Sequence, residues 1–213
     1  MARLVDLFTF SGRVGEVVGC TGAHGFYVRS RPRKSRSQAT PRQLEVREKF
    51  AMASGFLKPL KELIYEGFLG AHPRGNKVSA MNAAVSHLIN HAINGEFPDL
   101  TVNPAEVRLS RGKLAKLAIT GFGRKDRSVE VNWEYGGARA SGHSDDRVRV
   151  VVYNLQEKTV MINDTVRQSG EITVDVAEEP TGSELLVYVY VADRRGKWFS
   201  NSQFLGKVVV EHG

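Results

Sequence analysis

Hydrophobic and polar positions change rhythm near the middle of the chain. From about residue 114 onward, short apolar runs with two-residue alternation recur between turn signals. They predict strands at Leu114–Thr120, Ser128–Tyr135, Arg147–Asn154, Thr159–Asn163, Glu171–Val176, Leu185–Ala192 and Phe199–Val210. Gly136-Gly137, Asn163-Asp164, Pro180-Thr-Gly182 and Arg195-Gly196 separate them. In Val129-Glu-Val-Asn-Trp133 the alternation turns Val129, Val131 and Trp133 inward, with Trp133 as a core anchor.

The earlier part of the chain has a helical period. Val46, Phe50, Ala53, Leu57, Leu60 and Ile64 recur at spacings of 4, 3, 4, 3 and 4. Thr40-Pro41-Arg42-Gln43 supplies a cap, a first-turn proline and a capping-box glutamine for that helix. Pro59 removes the bond to the Gly55 carbonyl, so a kink or break is expected there. Gly70 to Gly75 reads as a loop, and a second helix is expected from Ser79 to Asn94, ended by Gly95. Before the helices, Val14 to Arg31 reads as a β-hairpin whose strands hold Val17-Val18 and Phe26-Tyr27-Val28, joined by turn material from Gly19 to Gly25.

Together these elements predict an α+β fold. An N-terminal β-hairpin with helices (residues 1–98) precedes an immunoglobulin- or fibronectin type III-like β-sandwich (residues 99–213). Trp133 has no flanking cysteine pair, which favours the fibronectin type. The sandwich is expected to fold without the first 98 residues.

Composition adds a charge. The chain has 213 residues, is 41% hydrophobic and 25% charged, and carries a net charge of +7, an ordinary soluble profile. The excess is local, because Arg29 to Lys49 holds eight basic residues against Glu45 and Glu48. Within it, Arg29, Arg31, Arg33, Lys34, Arg36 and Arg42 form an arm without an acid, suited to phosphate or to the acidic face of another subunit. No aromatic residue interrupts the arm, so non-specific phosphate contact is expected rather than sequence readout. Cys20 is the single cysteine, which excludes an intramolecular disulfide. Asp6 breaks the apolar start, and no run approaches the roughly 20 apolar residues of a membrane span. The expected setting is cytoplasmic or a virion-like assembly.

Candidate chemistry is sparse. His87 and His91 are four apart on a predicted helix, a spacing that seats a metal, but they border the apolar stripe without a carboxylate nearby. Gly142-His143-Ser144-Asp145-Asp146 holds triad residue types consecutively, whereas a triad draws them from separate segments. Glu178-Glu179 reads as a turn, and Gly19-x-x-Gly22-x-x-Gly25 lacks the strand-loop-helix context of a phosphate cradle. Cys20 has no base identifiable from spacing. No catalytic residue, metal, cofactor or small-molecule substrate is therefore assigned.

Ser11-Gly-Arg-Val-Gly15-Glu-Val-Val-Gly19, Tyr27-Val-Arg29-Ser-Arg-Pro32, Thr40-Pro-Arg-Gln43, Arg47-Glu-Lys-Phe50 and Phe56-Leu57 form a recognisable pattern, matched at the other end by Phe199-Ser-Asn-Ser-Gln-Phe-Leu-Gly206. The pattern resembles a bacterial family of unknown function, and also phage-like structural proteins. The resemblance implies a structural, self-assembling protein rather than an enzyme. The expected function is a non-enzymatic subunit, filament-, capsid- or tail-like, that forms homo-oligomers. It would assemble through the hairpin (Gly12, Gly15, Val17, Gly19, Tyr27) and the basic arm. The competing expectation is a nucleic-acid-associated protein that uses the arm for non-specific phosphate contact.

Overall fold

Glycine-rich alternation in the first forty residues produces more strand than a single hairpin. The computed structural model describes residues 3–6, 9–22, 24–33, 38–68, 77–135 and 142–211, and it divides into two compact units, 1–40 and 41–213. The first unit is an antiparallel meander of β1 (Arg3–Asp6), β2 (Thr9–Val14), β3 (Val17–Gly22) and β4 (Gly25–Ser30). The expected hairpin is its β3–β4 pair, but Gly19 to Gly22 belong to β3 rather than to a connecting turn. The reason is Phe10, whose backbone carbonyl oxygen and ring both lie against Gly19. A Cβ on Gly19 would stand 2.7 Å from Cδ2 of Phe10, and Phe10 meets Phe26 edge-on with centroids 5.7 Å apart. Gly15, at a φ of 56°, makes the turn between β2 and β3.

This sheet has almost no interior. Gly19 is the one buried residue among those of the unit whose side chains are described. Val14, Val17, Tyr27 and Val28 are all exposed. The register places Val14, Val17 and Val28 on one face and Tyr27 with Val18 and Cys20 on the other.

The second unit opens with α1 (Pro41–Leu57), α2 (Lys61–Gly67) and α3 (Lys77–His91). The break falls at Pro59 as expected, and the Leu60 N–H donates to the Leu57 carbonyl at 3.1 Å across it. The stripe on α1 is buried in its second half only. Ala53 and Leu57 are fully covered, but Val46 and Phe50, expected on the core side, are 60% and 58% exposed. The expected loop from Gly70 to Gly75 lies outside the described residues. A short ladder of β5 (Ile93–Asn94) and β6 (Thr101–Val102) follows.

Seven strands then form two antiparallel sheets: β7 (Ala118–Lys125), β8 (Ser128–Glu134), β9 (Arg147–Asn154), β10 (Val160–Val166), β11 (Glu171–Asp175), β12 (Glu184–Ala192) and β13 (Gln203–Val209). One sheet runs β10-β9-β12-β13 and the other β11-β8-β7. Two strand starts differ from expectation, at Ala118 rather than Leu114 and at Gln203 rather than Phe199. In both places isolated backbone bridges and side-chain bonds, among them Leu114 to Ser200, Phe199 to Ala192 and Leu117 to Gln203, replace a continuous ladder.

The central strands β9 and β12 of the β10-β9-β12-β13 sheet are buried on both faces. Val148, Val150 and Val152 of β9, with Leu185, Val187, Val189 and Val191 of β12, meet Val129, Val131, Trp133, Ile172 and Val174 of the three-stranded sheet. The opposite face presents Val151, Tyr153, Leu186, Tyr188 and Tyr190 to Phe56, Leu57, Leu60, Ile64 and Leu88 of the helices and their connections. Each such side chain contributes on the order of 1.5–3 kcal/mol by leaving water. Trp133 is the inward anchor expected, and its indole N–H donates to the Arg167 carbonyl at 2.7 Å. Glu66 of α2 adds a polar tie, accepting from Arg147 at 2.5 Å and from Arg149. Asp164 of β10 takes the other side of the Arg149 guanidinium at 2.6 Å. The units therefore divide at residue 40 and not at the expected 98/99 boundary, because the helices and the sandwich share one core.

Candidate functional site

The sequence-predicted basic residues are distributed between the two units. Arg29 lies on β4 opposite Val18, and Arg31 and Arg33 follow the strand, all three exposed. Lys34 and Arg36 lie outside the described residues. Arg42 belongs to α1 and lines a cleft with Glu45 and Glu96, which gives it acidic company. The hairpin residues Gly12, Gly15, Val17, Gly19 and Tyr27 all lie on β2–β4 or their turn, with Gly12 paired to Gly19.

The histidine pair is a stacked pair. The His87 and His91 rings stand 4.6 Å apart, and His87 Nε2 lies 3.1 Å from the Glu106 carbonyl oxygen. Burial holds the His87 pKa below its usual value. Arg108 pushes the same way, the Glu106 carbonyl opposes it, and His91 and Arg111 lower it further. Positive neighbours of this kind repel a cation. In the Gly142–Asp146 segment, Asp146 is buried against Arg167, 3.5 Å away, and its carboxylate also accepts the His143 backbone N–H. That uses the carboxylate for structure rather than for orienting a base. Glu179 of the expected turn accepts from Asn154 and from the Thr159 hydroxyl, fastening two loops.

A different cluster emerges where residues 107–117 cross 199–203. Three consecutive polar side chains of the second segment, Asn201, Ser202 and Gln203, hold the first together with the Ser200 backbone carbonyl. The Leu109 N–H donates to Ser202 Oγ at 2.9 Å, and the Ser110 hydroxyl donates to the Ser200 carbonyl at 2.8 Å. The Gly112 N–H donates to Asn201 Oδ1 at 3.2 Å, and the Leu117 N–H to Gln203 Oε1 at 3.0 Å. Each bond is worth about 1 kcal/mol net, and together they fix one geometry. The Phe199-Ser-Asn-Ser-Gln203 run noted in the sequence thus acts as a clasp.

The clasp shapes a cleft of about 480 Å³ lined by Arg108, Arg111, Gly112, Lys113, Trp198, Phe199 and Asn201. Trp198 is 58% exposed at its rim. Its position is set by the preceding turn, where the Asp193 carboxylate accepts the N–H groups of Lys197 at 2.6 Å and Trp198 at 2.7 Å. Burial pushes that carboxyl pKa up, but the N–H groups of Trp198, Lys197 and Arg195 with the Arg195 charge hold it below the usual range. Most cations of the sandwich are engaged: Arg147 and Arg149 with Glu66, Arg167 with Asp146, Arg124 with Glu211. The side chains of Arg108, Arg111 and Lys113 make no ion pair or hydrogen bond among the described residues. Sequence reading missed this cluster because the longer arm dominated the charge. The signal present was Arg108-x-x-Arg111-x-Lys113-x-x-Lys116, four cations without an acid.

Among the described residues, no helix is long and apolar enough to cross a membrane. A search of curated proteins finds no match. The profile of a family described as a family of unknown function, DUF6266, matches residues 9–206, from the start of β2 into β13. That span takes in strands β2 to β4 of the N-terminal sheet, the helices and the clasp, and the chain belongs to the DUF6266 family.

Proposed function

We propose that this protein is a non-enzymatic structural subunit that assembles with copies of itself through its N-terminal sheet. The observation that carries the reading is a four-stranded sheet whose described side chains bury nothing beyond Gly19 while Val14, Val17 and Val28 share an exposed face. A single layer of strands without a packed face is marginal in water, so a covering surface is expected. Its open strands β1 and β4 offer unpaired backbone groups for strand addition. β4 leads directly into the basic arm, which we assign to the same contact. The sandwich of the second unit is read as fibronectin type III-like, an attribution supported by the split into β11-β8-β7 and β10-β9-β12-β13 with the buried tryptophan on the second strand of the seven. The filament-, capsid- or tail-like form follows from the resemblance alone.

Light scattering across a concentration series tests the reading. The full chain should form oligomers, and Val17→Lys with Val28→Lys should return a folded monomer. A full chain that stays monomeric at high concentration would remove it.

A further inference from the structure

We propose that the clasp cleft binds a nucleotide unit, with its phosphate among Arg108, Arg111 and Lys113 and its base laid on the exposed face of Trp198. Three observations carry this, and none depends on the N-terminal sheet. First, three cations line one concavity without an acidic partner among the described residues, in a domain whose other arginines are largely paired. Such an arrangement keeps mutual repulsion that an anion relieves. Second, the volume of about 480 Å³ exceeds what an inorganic anion needs and falls in the range of small-ligand sites. Third, an indole 58% exposed beside those cations supplies a stacking platform. An acidic peptide or an inorganic phosphate would use the cations and leave the indole idle, whereas a nucleotide uses both.

The site is also pre-organised. Asp193 fixes the turn that presents Trp198, and Asn201 Oδ1 holds the Gly112 N–H. Gly112 itself packs on the Phe199 backbone. Phosphate contacts of this type position a ligand without reading sequence, so any base should be accepted.

The test uses the full chain and two probes, thymidine 5′-monophosphate and a single-stranded oligothymidylate of about 10 nucleotides, a length within the usual site size. Tryptophan fluorescence reports directly, since Trp133 is buried and Trp198 is exposed. Both probes should quench Trp198. Equal affinity for the two identifies a free nucleotide as the ligand, and tighter oligonucleotide binding identifies a strand. For the oligonucleotide, log affinity should fall with log salt at a slope of about −2, and Arg108→Gln with Arg111→Gln should flatten that slope by about 1.4. Trp198→Ala, followed by the fluorescence anisotropy of an end-labelled oligothymidylate because the variant lacks the reporting indole, should weaken binding on the order of ten-fold or more while leaving the thermal transition unchanged. Arg31→Gln with Arg33→Gln, which belong to the first unit and are not among the lining residues, should leave the quenching as it was. Should the double arginine variant misfold, Lys113→Glu at an exposed position gives the same readout. Absence of quenching at low salt, or undiminished binding in the cleft variants, would overturn the proposal.

Discussion

Gly112 rests on the backbone of Phe199 so closely that a Cβ at residue 112 would stand 2.6 Å from the Phe199 carbonyl carbon. The contact needs glycine for space. It lets the Leu114 N–H reach the Phe199 carbonyl at 3.0 Å and places the neighbouring Arg111 and Lys113 at the cleft. Gly112→Ala should therefore destabilise the chain by about 1–3 kcal/mol, as other overpacking substitutions do. Gly121→Ala, where a Cβ meets nothing within 4 Å, is the matched control and should stay within about 1 kcal/mol of the parent. Urea denaturation of the two variants decides it, and equal loss would mean the clasp is loose.

Residues 41–213 should fold cooperatively alone, because they form one compact unit with helices and sandwich on a common core. Residues 99–213 should not. Without the helices, Tyr153, Tyr188, Tyr190 and Phe199 lose their cover, an apolar patch that soluble monomers rarely expose. Thermal melts followed by far-ultraviolet circular dichroism separate the two fragments. A sharp transition in the shorter one would restore the boundary at residue 98.

Stability should fall as pH drops from about 6.5, and His87 should contribute to that fall. Burial first, then Arg108, favours its neutral form, so the folded state takes up the proton at lower pH than the unfolded state with its ordinary value of 6.5. The unfolded chain then binds more protons in the interval between the two values, and stability declines with falling pH across it. Below the folded value both states are protonated and the decline stops. His87→Gln should remove this component from a series of melts between about pH 5 and 8. An unchanged pH profile would show that the ring titrates as if in water.

Legibility followed the distance between interacting residues. β8, β9, β11 and β12 were readable within a residue or two because period-two alternation or a continuous apolar run is a local property. The helix break was readable because proline acts on its own turn. Residues 114–117 and 199–202 looked like strand by composition, yet Leu114 bonds Phe199 and Leu117 bonds Gln203 across about eighty-five positions, which no window reveals. The same separation hid the cleft, whose cations and tryptophan come from those two segments. Gly19 misled for another reason. Glycine signals a turn far more often than it signals room for a ring such as Phe10. Val46 and Phe50 kept the helical period yet are exposed, since how far a helix's stripe is covered is a tertiary matter that periodicity does not carry.

The two-faced sheet also sets an order for the newborn chain. α1 to α3 leave the ribosome first, but the sheet face they cover is completed only when β12 has been made, ending at Ala192, and the clasp closes only with Ser200 to Gln203. At about 5–20 residues per second, the hundred or so intervening residues take on the order of 5–20 s. For that interval Phe56, Leu57, Leu60 and Ile64 have no sheet to cover them, and a message that slows translation between α3 and β12 would lengthen it. Yield of folded protein should thus respond to codon choice in the middle of the gene more than at either end.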